Sequence, residues 1–396
     1  MSKLWDICSI KSSKRIFESE YVEMGIPFIR WQEVSDKSIL DKNAKFECYI
    51  SKERYEEIKK LKWVPQKWDI LITAVWTIWN LCYLPYDIDF YFKDWNILWL
   101  SNFQDWVYEK YIYYFMKSPF FKTQLEYSFI WAVQKALTID MLSKIELVLP
   151  SYEEQQKIAK ILSTIDDKIE LNNKVNSELE AMAKELYEYR FIQFDFPDKD
   201  GKPYKSSRWK MIWNKELKRE IPEGWEVKTL GDSCEIYQPG ILFAKDCIED
   251  GEYFVHGSNW IIWKYNDYNH ENSEIIVSCR WDCWNIHRTL PKMWITWNAM
   301  VIRLKDKSIH NEYLYQSLFY AWIKNISTGS VQWQITRANI SPLKIIIPSR
   351  NIIDKFNKIV IPTVDEKLKN LLENQKLSEL RDFLLPMLMN GQVTVK

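Results

Sequence analysis

The sequence predicts a mixed α+β protein built from two similar globular units. An approximate two-fold axis should relate them, with two long antiparallel coiled-coil helices separating them. Three observations predict this. First, residues 131–151 read WAVQKALTIDMLSKIELVLPS and residues 329–349 read GSVQWQITRANISPLKIIIPS, an offset of 198 residues. Identities fall at Val133/Val331, Gln134/Gln332, Thr138/Thr336, Ser143/Ser341, Pro150/Pro348 and Ser151/Ser349. Second, each copy ends in an apolar run and a Pro-Ser break, and a long helical pattern follows. Third, 396 residues are too many for one ordinary domain, and 47% hydrophobic content is enough to build real cores.

Residues 1–150 form the first unit. Short β-like runs bounded by breakers (IPFIR, DILITAV, NILWL, IELVLP) alternate with helical stretches at 51–61 and 105–118, which suits antiparallel or irregular strand pairing. Residues 151–190 read as a long helix with apolar positions Ile158, Leu162, Ile165, Ile169, Val175, Leu179, Met182 and Leu186. Ser151 and Glu154 form a capping-box pattern at its start. Asn172 falls in the apolar seam, where a buried polar side chain can fix register. Some 38 helical residues would span roughly 60 Å, long for a helix inside one compact domain. Residues 191–222 read as a polar linker. Residues 223–349 form the second unit, with matching runs YFVHG, EIIVSC, AMVIRL and LKIIIP. Residues 350–390 hold the second long helix, with Phe356, Val360, Val364, Leu368, Leu371, Leu377, Leu380 and Leu384 in its seam. Pro362 should kink that helix or delay its regular start, and Pro386 should end it.

The charge balance argues against a non-specific polyanion binder but leaves room for local basic clefts. Fifty-four basic residues match 54 acidic ones, whereas such binders gain their affinity by neutralising phosphates. The seven Cys residues show no disulfide framework, and Cys279 and Cys283 lack a second pair to complete a zinc pattern. No signal-like or membrane-spanning apolar run occurs, so a reduced, cytoplasmic protein is expected.

One ratio is abnormal: 21 Trp against 9 Gly. Ordinary glycine usage would give about 28. The repeat shows where glycine is missing. KLWDICSI from Lys3 matches TLGDSCEI from Thr229, which sets Trp5 opposite Gly231; the same offset sets Gly25 opposite Gly251 and Trp31 opposite Gly257. Trp131 stands opposite Gly329. Trp68, Trp76, Trp79, Trp281, Trp284 and Trp297 fall where a turn favours glycine. The pattern suggests a gene from a code in which UGA means glycine, translated as tryptophan. Trp99 and Trp225 read as true tryptophans. The alternative, a Trp-rich stacking surface for nucleic acid, does not explain Trp opposite Gly.

A search for catalysis finds little. His256, His270, His287 and His310 form no HExxH or other metal-ligand spacing. No phosphate-binding loop appears, even with suspect Trp read as Gly, and no Asn-Pro-Pro-aromatic or Asp-Pro-Pro-aromatic methylation motif is present. The Asp166/Asp167 pair reads as a solvated helix face. A binding subunit fits better than a catalyst, with no catalytic or metal-binding residues. Loop residues able to reach base edges in a major groove are the candidates. In the first unit they are Lys11, Lys14, Arg15, Arg30, Gln32, Thr77, Asn80, Gln134 and Lys135. In the second they are Asn259, Arg280, Asn285, His287, Arg288, Gln332, Gln334 and Arg337. Gln134/Gln332 and Thr138/Thr336 recur in both copies, which also fits a scaffold role.

Taken together, KLWDICSI, TLGDSCEI, DILITAVWTIWN, residues 131–162, the FPDKDGKPYKSS and IPEGWEV segments, and LPMLMNGQV resemble the specificity subunits of type I restriction–modification systems. Such subunits read Gly where this chain has Trp5, Trp68, Trp76, Trp79 and Trp131. The resemblance implies two target-recognition domains, each reading half of an interrupted double-stranded DNA target. The helices would set the gap and dock two modification subunits; restriction/motor subunits would complete the complex. No cofactor is expected on this chain, because S-adenosylmethionine, ATP and magnesium would belong to the partners. Two other readings stand beside it: a coiled-coil scaffold without a nucleic-acid role, and a stand-alone DNA methyltransferase or nuclease with fused recognition domains.

Overall fold

The structure is a computed structural model that describes residues 2–41, 44–129, 136–197, 201–206, 210–280, 285–321 and 334–395. The chain divides into two units. Met1–Glu170 with Asn374–Lys396 make the first, and Leu171–Glu373 make the second. None of the described helices is long and apolar enough to cross a membrane.

In the first unit the apolar run at DILITAV becomes Ile70–Thr73, buried along its whole length. It is an inner strand of an antiparallel sheet ordered Ser9–Lys11, Ile97–Ser101, Ile70–Thr73, Leu81–Tyr83. A second sheet is ordered Tyr21–Val22, Tyr49–Ile50, Ile26–Ile29, Tyr91–Phe92, its last pair parallel. Strand burial on both faces fits the near-continuous apolar pattern. The expected helices appear at Lys52–Lys60 and Glu109–Lys117.

The second unit repeats the layout. Its four-stranded sheet is ordered Cys234–Tyr237, Ala299–Leu304, Ile275–Ser278, Ile286–Arg288, all antiparallel. Beside it Ile261–Tyr265, Tyr253–His256 and Trp294–Ile295 pair, the last again in parallel. The repeat also fixes individual hydrogen bonds. Leu4 N–H donates to the Ile145 carbonyl at 3.0 Å, and Leu230 N–H to that of Leu343 at 2.8 Å. Thr138 and Thr336 each cap a short helix, accepting from Met141 N–H at 3.2 Å and Asn339 N–H at 3.3 Å. Glycine is kept in both copies where strands crowd. A Cβ on Gly25 would lie 2.2 Å from the Ile50 carbonyl oxygen, and one on Gly251 2.6 Å from Tyr265 N.

The long helices are Tyr152–Tyr187 and Arg350–Met389, and they run antiparallel within each unit. In the first unit, Ile158, Ala159 and Leu162 share a core with Leu385 and Leu388. Arg381 there meets Asp166 at 2.9 Å. In the second, Asn172 Nδ2 donates to Glu373 at 2.8 Å, Asn370 Nδ2 donates to Asn176 at 2.9 Å, and Lys367 meets Glu180 at 2.8 Å. Asn172 is thus the buried polar seam residue that the sequence predicts. The Ser151 hydroxyl accepts from Glu154 N–H at 3.3 Å, capping the first helix.

Three expectations differ from the structure. Asp166 does not sit on a solvated face: Lys117 at 3.1 Å and the Tyr114 hydroxyl at 3.0 Å also converge on it. Those partners lie on a helix some fifty residues earlier, beyond what helix periodicity can register. The stretch expected as a polar linker is largely folded. Phe191, Phe194 and Phe196 are buried with Trp225, and Met211–Asn214 pairs with Arg219–Pro222. Its aromatic residues outweigh its polar composition. The second helix also continues through Pro362 and three residues past Pro386. A proline removes one N–H but leaves the rest of the ladder available, and the Thr363 hydroxyl bonds the Ile359 carbonyl at 3.1 Å beside the break.

Burial pushes the Asp69 carboxyl up to about 6 from its ordinary 3.8, while hydrogen bonds from Gln66 N–H and Trp99 Nε1 and the charge of Lys11 oppose the rise. The folded protein therefore holds a proton that the unfolded chain releases near pH 4, and stability is lost as pH rises from there through 6. That loss is about 3 kcal/mol. Both donors meet the same oxygen, Oδ2, at 2.8 and 2.7 Å. An amide can keep both bonds, so Asp69→Asn is expected to fold and to flatten the fall of the thermal midpoint between pH 4 and 7. An unchanged slope would refute the assignment.

Candidate nucleic-acid interface

The four-stranded sheet of each unit carries a hairpin closed by matching backbone hydrogen bonds; residues 281–284 of the second lie outside the described residues. TAVWTIWN from Thr73 corresponds to SCRWDCWN from Ser278. Thr73 N–H donates to the Asn80 carbonyl at 3.0 Å, and Ser278 N–H to that of Asn285 at 2.9 Å. Ala74 N–H reaches Asn96 O at 2.8 Å, and Cys279 N–H reaches Asn298 O at 3.0 Å. A segment within each repeat copy then closes on the loop: Leu137 N–H to Ala74 O at 2.8 Å, Ile335 N–H to Cys279 O at 3.1 Å.

In the second unit this loop gathers candidate residues around Asn259. Its Oδ1 accepts from Asn285 Nδ2 at 3.2 Å, lies 3.2 Å from His287 Nε2 and is met by the Ser278 hydroxyl. The Ser258 hydroxyl donates to the Arg280 carbonyl at 3.0 Å. The Arg280 guanidinium lies 3.8 Å over the Trp297 ring, and its backbone bridges Gln334. Amide, imidazole and guanidinium groups at one loop cluster are the donor set that base edges in a major groove accept. The buried His256 ring is 5.8 Å from that of His287, and burial, then the neighbouring imidazole, lower its pKa.

In the first unit, Thr77 and Asn80 occupy the equivalent loop. Asn80 N–H donates to Thr73 Oγ1 at 3.0 Å, and the Thr77 hydroxyl lies 3.0 Å from that of Ser35. Ser35 ends the helix Trp31–Ser35, which carries the exposed Gln32. The Lys11 and Lys14 ammonium groups share the face of Trp63, at 5.1 and 5.6 Å.

Other candidates are not brought to these clusters. Arg15 lies near Asp94 at 3.9 Å and Arg30 pairs with Glu47. Arg337 is exposed on the short helix Arg337–Ile340. Arg288 turns inward, paired with the buried Glu312 and stacked 3.6 Å over Tyr315. Gln134, Lys135 and Gln332 lie outside the described residues. Sequence reading missed Ser258, Ser278 and Ser35. For Ser278 a signal existed, because Thr73 stands at the same place in the other hairpin. Among the described residues, no group of three or more His, Cys, Asp or Glu is placed to hold a metal ion.

Comparison with known proteins decides the family. Residues 1–181 and 222–381 match the family described as type I restriction modification DNA specificity domain. The chain belongs to this family. Specificity subunits select the DNA target of a type I restriction–modification system and are themselves non-catalytic; as a family they typically bind no cofactor. A similar relative is the type I restriction enzyme MjaIX specificity subunit of Methanocaldococcus jannaschii. It is 30% identical over 320 residues, which cover 74% of this chain and 71% of the relative. The HindI specificity subunit of Haemophilus influenzae is 26% identical, over 65% of this chain and 71% of that one. The crystal structure of a type I restriction–modification S subunit from M. genitalium shares the fold. Its TM-score is 0.56 at 15% identity, covering 98% of this chain and 95% of that one.

Proposed function

We propose that this specificity subunit reads an interrupted double-stranded DNA sequence in two halves. Residues 1–150 read one half and residues 223–349 the other. The observation that carries the reading is the hairpin loop held by the same backbone hydrogen bonds in both units. Thr77, Asn80 and Gln32, with Lys11 and Lys14, serve the first half-site. Asn259, Arg280, Asn285, His287 and Gln334 serve the second. Residues 151–190 and 350–390 are the spacer, and two modification subunits dock on them; restriction/motor subunits add to that complex. S-adenosylmethionine, ATP and magnesium reside on the partners. The balanced charge of the chain fits a division of labour in which partners contact phosphates and this subunit specifies bases.

The test is an exchange of residues 1–150 for another recognition domain, in the complex with its modification subunits, followed by methylation mapping. One half-site is expected to change while the other half and the gap persist. A change in both halves would overturn the assignment of one half-site to each unit.

A further inference from the structure

Glycine enters the left-handed backbone region freely, whereas a residue with a bulky side chain is strained there. Ten non-glycine residues among those described have positive φ. Four are Trp: Trp68 at 75°, Trp76 at 62°, Trp79 at 83° and Trp95 at 63°. Tryptophan is only 21 of 396 residues, so its share of these positions is far above its abundance.

Three of the four belong to the hairpin of Ile70–Thr73 and Leu81–Tyr83, and the fourth precedes Ile97–Ser101, the strand paired with it. Trp76 and Trp79 lie in the loop between Thr73 and Asn80. Trp95 precedes Asn96, whose carbonyl receives Ala74 N–H at the loop's base. At the outer end, Trp68 N–H donates to the Leu84 carbonyl at 2.6 Å. Three of the four side chains are exposed, while Trp79 packs partly against the first unit's core beside Phe129. Trp76 is 82% and Trp95 76% exposed. The Trp79 indole N–H is buried with no hydrogen-bond partner among the described residues. Trp99 and Trp225 differ in every respect. Trp99 is buried and donates to Asp69 at 2.7 Å, and Trp225 packs among Phe191, Phe194 and Phe196.

The repeat adds an independent observation. Trp5 stands opposite Gly231, where a Cβ would lie 3.1 Å from that of Ser341. Trp31 stands opposite Gly257, where it would lie 3.0 Å from Ile262 Cγ2. These two Trp sit on short helices, and neither they nor Trp297 have positive φ. Among the described residues the geometry keeps 68, 76 and 79 and adds 95, while 5 and 31 rest on the repeat; Trp131, Trp281 and Trp284 lie outside the described residues.

We propose that positions 68, 76, 79 and 95 are glycine positions, encoded by UGA in a gene whose own translation reads UGA as glycine. The natural protein then carries Gly where this sequence reads Trp. Two indoles disappear from the loop that holds Thr77 and Asn80, and its backbone is free to approach a nucleic-acid groove.

The gene is expected to carry UGA at 68, 76, 79 and 95 and UGG at 99 and 225. UGG at the first four would overturn the proposal, as would Trp in tryptic peptides of the protein isolated from its source. The geometric part is tested separately. Full-length chain carrying Trp68→Gly, Trp76→Gly, Trp79→Gly and Trp95→Gly should melt higher than the chain as written, by about 10 °C. Trp99→Gly should melt lower. A fourfold variant with an unchanged or lowered midpoint would also overturn the proposal.

Discussion

Replacing Arg288 with alanine is expected to destabilise the second unit by about 3–5 kcal/mol, the usual cost of leaving a buried charge without its partner. The Glu312 side chain is fully buried, and Arg288, itself mostly covered, is its ionic partner. Glu312 also accepts from Gln316 Nε2 at 2.7 Å, and its own N–H donates to His310 Nδ1 at 3.1 Å at the start of the helix Asn311–Tyr320. Burial raises the Glu312 pKa, and the Arg288 charge is the largest influence holding it down. Removing Arg288 lets that pKa rise further. The folded variant then binds a proton at pH values where the unfolded chain does not, so its stability is lost as pH rises through the raised value. Arg288→Ala should therefore be least damaging in acid. The double variant Arg288→Met with Glu312→Leu removes both charges at similar volume and should unfold close to the parent in urea. If the double variant fell as far as the single one, the ion pair would not be the cause. If it kept stability and DNA sequence preference together, Arg288 would be assigned to the scaffold and not to base reading.

Arg288 also shows where sequence reading stops. It sits among loop residues with base-reading chemistry, and nothing in its neighbours announces Glu312, 24 positions on. What was legible depended on local period or on the repeat. The run at 70–73 gave a strand, the seam gave the long helices and the polar position at Asn172, and the two copies gave the two similar units. What was not legible depended on partners far along the chain. The Asn259 cluster draws on residues near 259, 278, 287, 297 and 334, which no spacing rule unites. Asp166 meets Lys117 and Arg381 from two other helices. The aromatic residues at 191, 194 and 196 were masked by a polar composition that suggests a linker. The glycine positions were partly legible, because one repeat copy supplied a reference, but only the backbone angles exposed position 95.

Lengthening the helix pair is expected to widen the gap between half-sites while leaving the bases of each half unchanged. Residues 152–187 form one continuous helix that contributes to both units, as does Arg350–Met389. Within the second unit the rungs Asn172–Glu373, Asn176–Asn370 and Glu180–Lys367 mark an antiparallel ladder. Four residues inserted between the first two rungs, on both helices, add about 6 Å. At 3.4 Å per base pair that admits about one or two more pairs. Four residues exceed a 3.6-residue turn, so the seam beyond the insertion rotates by about 40°; seven residues fall short of two turns by about 20°. The seven-residue insertion is thus gentler on the ladder and should widen the gap by about three pairs. Methylation mapping of the assembled complex reads both outcomes, and an unfolding curve of each variant shows whether the ladder survives. A folded variant with an unchanged gap would remove the helices from the role of spacer. Altered bases within a half-site would mean that helix length also sets how the hairpin loops meet DNA, and the separation of reading from spacing would fail.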